Sequence, residues 1–315
     1  DHLEDRTGTA FAEIDYVDLA AWRQWIDYPV LLPRGRGALR TWADIERGAL
    51  KGMTADLLLR DTSIRLGQDL PELDLAQLSG RLAFSLAKNG LVVDGRNIGL
   101  AARRQGQAAA ADAIEIEPMD FHVIWDTDAD GKNTAGSVTA NRVDLSGLNR
   151  LAAYLPLDVD TRQFLMDYQP QGQLADLSAR WKGDAEHWQT YSLKGRFSQL
   201  ALKAQGDLPG FSGISGSVEL NEQGGSAELS TQRSSIDLPR VFAVSLIELD
   251  TLNARAKWKI DRDGLAVELP HVEFAGPEAA GSASGTYHKN HKTGDGLGNI
   301  DLKAALTRDG DFFVP

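Results

Sequence analysis

The chain has 315 residues, with 33 basic and 45 acidic side chains, a net charge of −12 and no cysteine. The acidic balance and the lack of any run of lysine or arginine argue against nucleic acid as a partner, because phosphate binding needs concentrated positive charge. No apolar run reaches the roughly 18 residues that a membrane-spanning helix needs. A chain without thiols suits an oxidising compartment.

Two segments share one pattern, an alternating strand-like stretch that leads into Val-Asp-Leu and a short amphipathic helix. The first contains Val17-Asp18-Leu19 and the second Val143-Asp144-Leu145, 126 residues further on. The similar sequences GMTADL at 52–57 and GQLADL at 172–177 extend the match. A fixed period is typical of chains that extend by stacking units. We therefore predict one continuous elongated body, cut from a longer chain. Its predicted parts are the end of a preceding repeat at 1–16, a first repeat at 17–142, a second at 143–310, and the start of a truncated segment at 311–315.

Apolar and polar residues alternate with period two along most of the chain, which is typical of antiparallel strands solvated on one face. Turn sequences such as Asn89-Gly90 and Asp263-Gly264 separate the strands. Helical spacing occurs only in short segments, which predict helices at 17–27, 144–155 and 161–168. The predicted fold is mainly β: an elongated, curled antiparallel sheet with a few short crossover helices.

The apolar positions of these strands form a candidate interior. Many inward positions are small, such as Ala254 and Ala256, which suits a strongly curved sheet with free volume on its concave face. A tightly packed sandwich of two sheets, in which small residues fit between large ones, remains the alternative. The residues predicted to share one concave face are Leu82, Phe84, Leu86, Ile214, Val218, Leu220, Ala254, Ala256, Trp258, Ile260, Ile300, Leu302 and Leu306.

One acidic segment resembles the first half of a calcium loop, with Asp126, Asp128 and Asp130 at alternate positions. The twelfth position is Ser137 rather than a bidentate glutamate, and both flanks alternate as strands do, so an acidic hairpin turn is the competing interpretation. Other acidic and histidine residues do not cluster, and no serine lies in a Gly-x-Ser-x-Gly sequence. We therefore predict neither enzyme activity nor a cofactor nor a metal.

Three tryptophans, Trp125, Trp181 and Trp258, each end an alternating strand just before a polar turn. Such residues pack as anchors at a sheet edge, or else line a rim where the amphipathic ring meets both an apolar ligand and water. Both interpretations place the ring on the apolar face.

Residues 206–260 contain, in order, a Leu-Pro-Gly-x-x-Gly-x-x-Gly strand, a glycine-rich hairpin, a Leu-Pro-x-x-Phe element and a strand ending in tryptophan. The matching positions are Leu208-Pro209-Gly210, Gly213, Gly216, Leu238-Pro239, Phe242 and Trp258. This order resembles the AsmA-like proteins of Gram-negative bacteria, most closely the YhdP type. The resemblance covers most of the chain and is best from residue 136 onward.

The resemblance implies a repeating β-groove that carries phospholipid across the periplasm between the inner and outer membranes. The residues of the predicted concave face would then line the groove. The implied location is periplasmic, with an inner-membrane anchor outside this sequence. The implied partners are phospholipid, the two membranes and further membrane proteins at the ends. The alternative is a structural stalk or adhesion scaffold of β-repeats with a filled core and no ligand.

Overall fold

A computed structural model describes residues 7–18, 31–103, 113–183, 188–206, 208–237, 245–290 and 295–306. Fifteen strands occupy most of these residues and are hydrogen-bonded in linear sequence order in a single sheet. The strands are β1 Gly8–Asp18, β2 Leu31–Glu46, β3 Ala49–Arg65, β4 Leu73–Ala87, β5 Gly90–Arg103, β6 Ile114–Thr127, β7 Asn133–Asp144, β8 Gln171–Gly183, β9 Trp188–Leu202, β10 Gly210–Asn221, β11 Gly224–Asp237, β12 Leu246–Ile260, β13 Gly264–Ala275, β14 Ala279–Asn290 and β15 Gly296–Leu306. The predicted curled antiparallel sheet is confirmed, whereas the alternative of two separate sheets is wrong.

The described residues contain two α-helices, α1 at Leu145–Leu151 and α2 at Val159–Tyr168, and a 3-10 turn at Ala152–Tyr154. They confirm the helices predicted at 144–155 and 161–168. The Asp158 carboxylate starts α2 by accepting hydrogen bonds from the backbone N–H and the hydroxyl of Thr161, at 2.8 and 2.7 Å. The helix predicted at 17–27 is wrong at its start, because β1 continues to Asp18, and residues 19–27 lie outside the described residues.

The contacts divide the chain into two compact units. Unit 1 comprises residues 1–163 and 182–188, and unit 2 comprises residues 164–181 and 189–315. The division into repeats at 17–142 and 143–310 stays a prediction, because these units are defined by contacts and not by repeated sequence.

The two Val-Asp-Leu segments begin alike, because β1 ends at Asp18 and β7 ends at Asp144. The similar sequences at 52–57 and 172–177 do not take equivalent places in the sheet. Gly52 lies in the second strand after β1, whereas Gly172 lies in the first strand after β7, so the two glycines occupy different places in the strand order. The reason is that a strand, β2, follows the first Val-Asp-Leu segment, whereas the helix α2 occupies the corresponding stretch after the second.

A paired backbone distortion recurs within the sheet. In each case a glycine with positive φ lies on one strand, and a non-glycine residue with positive φ lies on the next strand, with its carbonyl oxygen 2.6 Å from where a glycine Cβ would be. The pairs are Gly80 with Asn97, Gly172 with Gln199, and Gly213 with Arg233. Side chains from a further strand hold two of these bulges, since Asn97 N–H donates to Asp120 Oδ1 at 2.7 Å and Gln199 N–H donates to Ser215 Oγ at 3.1 Å. Such bulges bend strands and increase their twist.

Candidate functional site

The strand register of unit 1 gathers apolar side chains on one side of the sheet, because directly paired residues point to the same side. The three predicted residues of β4 share that side, and their partners on β5 and β6 continue it. The paired rows are Leu82–Gly95–Phe121, Phe84–Val93–Val123 and Leu86–Leu91–Trp125. We call this side the apolar face of unit 1. The row from Met53 on β3 through Phe84, Val93 and Val123 to Val138 on β7 contains no charged residue.

Unit 2 has an apolar face of its own, built by the same rule. The register aligns Val218, Ala227 and Ala256 in one row, and Leu229, Ala254 and Val272 in the next. Every predicted residue of β10, β12 and β15 lies on this face, namely Ile214, Val218, Leu220, Ala254, Ala256, Trp258, Ile260, Ile300, Leu302 and Leu306. The three residues of β15 are exposed, while those of β10 and β12 are buried or half-buried.

The opposite side of the sheet is polar in each unit, and it carries charges that pair across strands. In unit 1 the Arg81 guanidinium contacts the Asp56 carboxylate at 2.5 and 2.8 Å, and this hydrogen bond lowers the pKa of Asp56. In unit 2 Lys194 Nζ lies 3.0 Å from Glu219 Oε2. Exposed pairs of this kind stabilise a fold by at most about 1 kcal/mol each. Their consequence is a sheet whose two sides differ sharply in polarity.

One end of the strands in unit 1 is covered by the helical segment. Leu151 and Tyr154 pack with Leu73, Leu75 and the neighbouring strand ends to form a buried cluster. Gly147 brings α1 close to β6, because a Cβ there would lie 3.1 Å from Ile116 Cγ1. We call this end of the strands the helix edge.

The other end of the strands in unit 1 is where hairpin turns join β2 to β3, β4 to β5, and β6 to β7, and we call it the hairpin edge. Exposure rises along β4 toward this edge: Leu73 is 4% exposed, Leu82 37% and Leu86 51%. Trp125, which also lies near the hairpin edge, is 38% exposed. The apolar face of unit 1 is therefore closed at the helix edge and open to solvent at the hairpin edge.

A model of the YhdP protein family matches residues 2–310, nearly the whole chain. The chain belongs to the YhdP family. The family comprises AsmA-like proteins of the Gram-negative envelope. No curated protein and no solved structure matches the chain. Among the residues that the structure describes in this YhdP-family chain, neither helix has the length and apolarity needed to cross a membrane.

Aromatic rings on the apolar faces of this YhdP-family chain lie over glycines of a neighbouring strand. The Phe121 ring occupies the space where a Gly95 Cβ would be, with the nearest ring atom 2.2 Å from that position. Trp258 lies over Gly225 in the same way, with Cζ2 at 2.6 Å. Aromatic residues often cover glycines across strands. The rings therefore lie along the sheet, and they leave more space above it than upright rings would. The sequence shows these residues, but only the register pairs them.

Trp125, opposite Leu91, and Trp258, opposite Gly225, lie on the apolar faces, as both sequence interpretations require. Both lie near a hairpin turn. Exposure of Trp125 at the hairpin edge favours the rim interpretation for that residue.

The acidic segment of the YhdP-family chain forms a hairpin turn. Asp128 Oδ1 accepts hydrogen bonds from the backbone N–H groups of Asp130 and Lys132, at 3.0 and 2.9 Å. The Asp128 carboxylate is therefore directed into its own turn. Within the described ranges, no three acidic or histidine side chains come together in a way that could hold a metal ion. The geometry favours the hairpin interpretation over a calcium loop at Asp126, Asp128 and Asp130.

Two open depressions in unit 2 lie among residues of the polar side. One, of about 720 Å³, is lined in part by Lys194 and Glu219, and another, of about 630 Å³, by Glu228 and Arg255. Both contain charges that already pair across strands. They arise from long, exposed side chains, so we place the candidate site on the apolar faces.

Proposed function

We propose that this chain is a segment of a periplasmic, bridge-like lipid transfer protein. Its apolar faces would carry the acyl chains of phospholipid between the inner and outer membranes, without catalysis or a cofactor. Membership of an envelope protein family supports the proposal. The observation that carries it is the apolar face of each unit, with the paired charges on the other side.

The energetics of moving a lipid explain why such a face is useful. Each acyl CH2 group exposed to water costs about 0.8 kcal/mol, so a tail of about 16 carbons costs on the order of 12 kcal/mol. A continuous apolar surface lowers this barrier and leaves the head group in water. A charge on the surface would be costly, because an unpaired charge out of water is unfavourable by several kcal/mol.

The second candidate function is a structural stalk with a filled core. A filled core would bury the apolar side chains along the whole of each strand. In β4 the apolar side chains are instead buried at Leu73 and Leu75 and exposed at Leu82 and Leu86, which favours an open surface able to take a ligand.

The test places a charge on the apolar face of β12. Ala254→Asp and Ala256→Arg should block transfer in a complementation assay and reduce co-purified phospholipid, counted by native mass spectrometry. Asn253→Asp is the matched control, because Asn253 is exposed on the polar side of the same strand. Full transfer activity of both apolar-face variants would contradict the proposed function.

A further inference from the structure

The apolar face of unit 1 has a direction, because its two ends differ. At the helix edge Leu73 and Leu75 are almost fully buried beneath Leu151 and Tyr154. A charged or zwitterionic group moved there would lose its water without gaining partners, which is strongly unfavourable. At the hairpin edge the apolar side chains remain accessible to water, so a polar group there keeps its hydration.

The open part of the strands is long enough for one acyl tail. Leu78 marks the boundary of the buried cluster on β4, and Leu86 lies near the hairpin edge. At about 3.3 Å per residue the separation is roughly 26 Å. Each leaflet contributes about half of a hydrocarbon core that is about 30 Å thick, so an acyl tail spans roughly 15 Å. A tail laid along the strands therefore fits between the two edges.

The hairpin edge of unit 1 carries charges of both signs. Arg47 and Lys88 lie in its turns, and Asp126 and Asp130 in or beside the turn after β6. A zwitterionic head group, with a phosphate and an amine, is matched by such an edge. Trp125 adds an amphipathic ring at the boundary between apolar face and water.

From these observations we infer that phospholipid lies across unit 1 with its head group at the hairpin edge and its acyl tails directed toward α1. The inference rests on the proposed function and adds the orientation of the cargo to it. Head groups then move along the hairpin turns, and the tail ends move along the boundary of the buried cluster.

The two ends of the apolar face of unit 2 differ in the same way. Its buried cluster, with Ile214, Leu249 and Leu252, lies near the starts of β10 and β12, far from the turns at 222–223 and 261–263. Lys289 is paired with Leu265 beside the turn that precedes β13, and it places a positive charge at that end of the apolar face.

The absence of cysteine allows a probe to be attached at one chosen position of the full chain. Lys88→Cys places a fluorophore at the hairpin edge, and Asp69→Cys places it in the exposed loop at the opposite end of β4. Each labelled chain is loaded with phosphatidylcholine that carries a nitroxide either on the head group or near the end of a tail. The head-group nitroxide should quench the probe at 88 more than the probe at 69, and the tail-end nitroxide should reverse that order.

Asp130→Cys and Gln68→Cys form a second pair of exposed positions at the same two edges, and they should repeat the result. Equal quenching at both edges, or the opposite order, with lipid bound would overturn the orientation and leave the proposed function standing. Lack of any bound phosphatidylcholine on the unlabelled chain, measured by native mass spectrometry, would instead overturn the proposed function and this inference with it.

Discussion

Gly213 allows the paired bulges to be tested by one substitution, because its φ of +72° lies in the left-handed region. An added Cβ would lie 2.6 Å from the Arg233 carbonyl oxygen, which is backbone and cannot rotate away. The left-handed conformation costs a residue with a Cβ about 1–2 kcal/mol. Separating β10 from β11 would also weaken the hydrogen bond that Thr231 Oγ1 donates to the Gly213 carbonyl, at a cost of about 1 kcal/mol. We expect Gly213→Ala to lower the free energy of unfolding of unit 2 by about 2–3 kcal/mol.

Gly195→Ala is the matched control on the neighbouring strand β9. Its added Cβ would meet its nearest neighbour, the Ala175 carbonyl oxygen, at 3.6 Å, which is ordinary van der Waals contact. Replacement of glycine by alanine in a compatible conformation stabilises a protein by about 0.4–1 kcal/mol through the unfolded chain. Urea unfolding followed by tryptophan fluorescence should show a lower midpoint for Gly213→Ala and an unchanged or higher one for Gly195→Ala. Equal midpoints for the two variants would refute the account of the bulges.

Three further results are expected. Gly95→Ala should displace the Phe121 ring into the space above the sheet and reduce the amount of bound phospholipid. Adding Phe121→Leu should restore lipid binding. An undiminished amount of bound lipid in Gly95→Ala alone would contradict the role of the flat ring. Leu151→Ala should lower the free energy of unfolding of unit 1 by about 2–5 kcal/mol, because Leu151 lies in the buried cluster. Replacement of the exposed Met166 in α2 by alanine should change stability by less than about 0.5 kcal/mol. Similar urea midpoints for the two variants would contradict the stabilising role of the buried cluster. Hydrogen bonds from the first turn of α2 lower the pKa of Asp158 below its usual 3.8. Asp158→Ala should therefore destabilise the protein above that pH, and the difference should vanish as the pH falls through the pKa of the folded state. A loss of stability that persists in acid would show that these hydrogen bonds to the carboxylate are not its cause.

The fold class could be read from alternation alone, because period-two patterning over many short segments has few structural solutions. The same pattern predicted one shared face for all thirteen residues. The register places Leu82, Phe84 and Leu86 together in unit 1, and the ten residues of β10, β12 and β15 together in unit 2. Helix α1 was predictable because its apolar residues recur at helical spacing after Asp144.

The bulges were not predictable, because Gln199 and Arg233 carry no local signal for a left-handed conformation, and Asn97 alone is of a residue type enriched there. Only the neighbouring strand imposes it. The predicted equivalence of Gly52 and Gly172 was wrong for a related reason. Two similar six-residue sequences indicate that each segment forms a strand, but not which place that strand takes in the sheet. Pairing of an aromatic ring with a glycine likewise depends on register, which sequence alone leaves open.

Successive side chains of a strand point to opposite sides, so the number of residues between a bulge and the next turn decides which of them meet water. One residue inserted between Gly213 and the turn at 222–223 would exchange Val218 with Glu219 and bring charge onto the apolar face of unit 2. Evolution can therefore lengthen or shorten these strands only by pairs of residues, or by adding another bulge. In diverging descendants of this chain, the parity of strand length should persist longer than the identity of any apolar side chain.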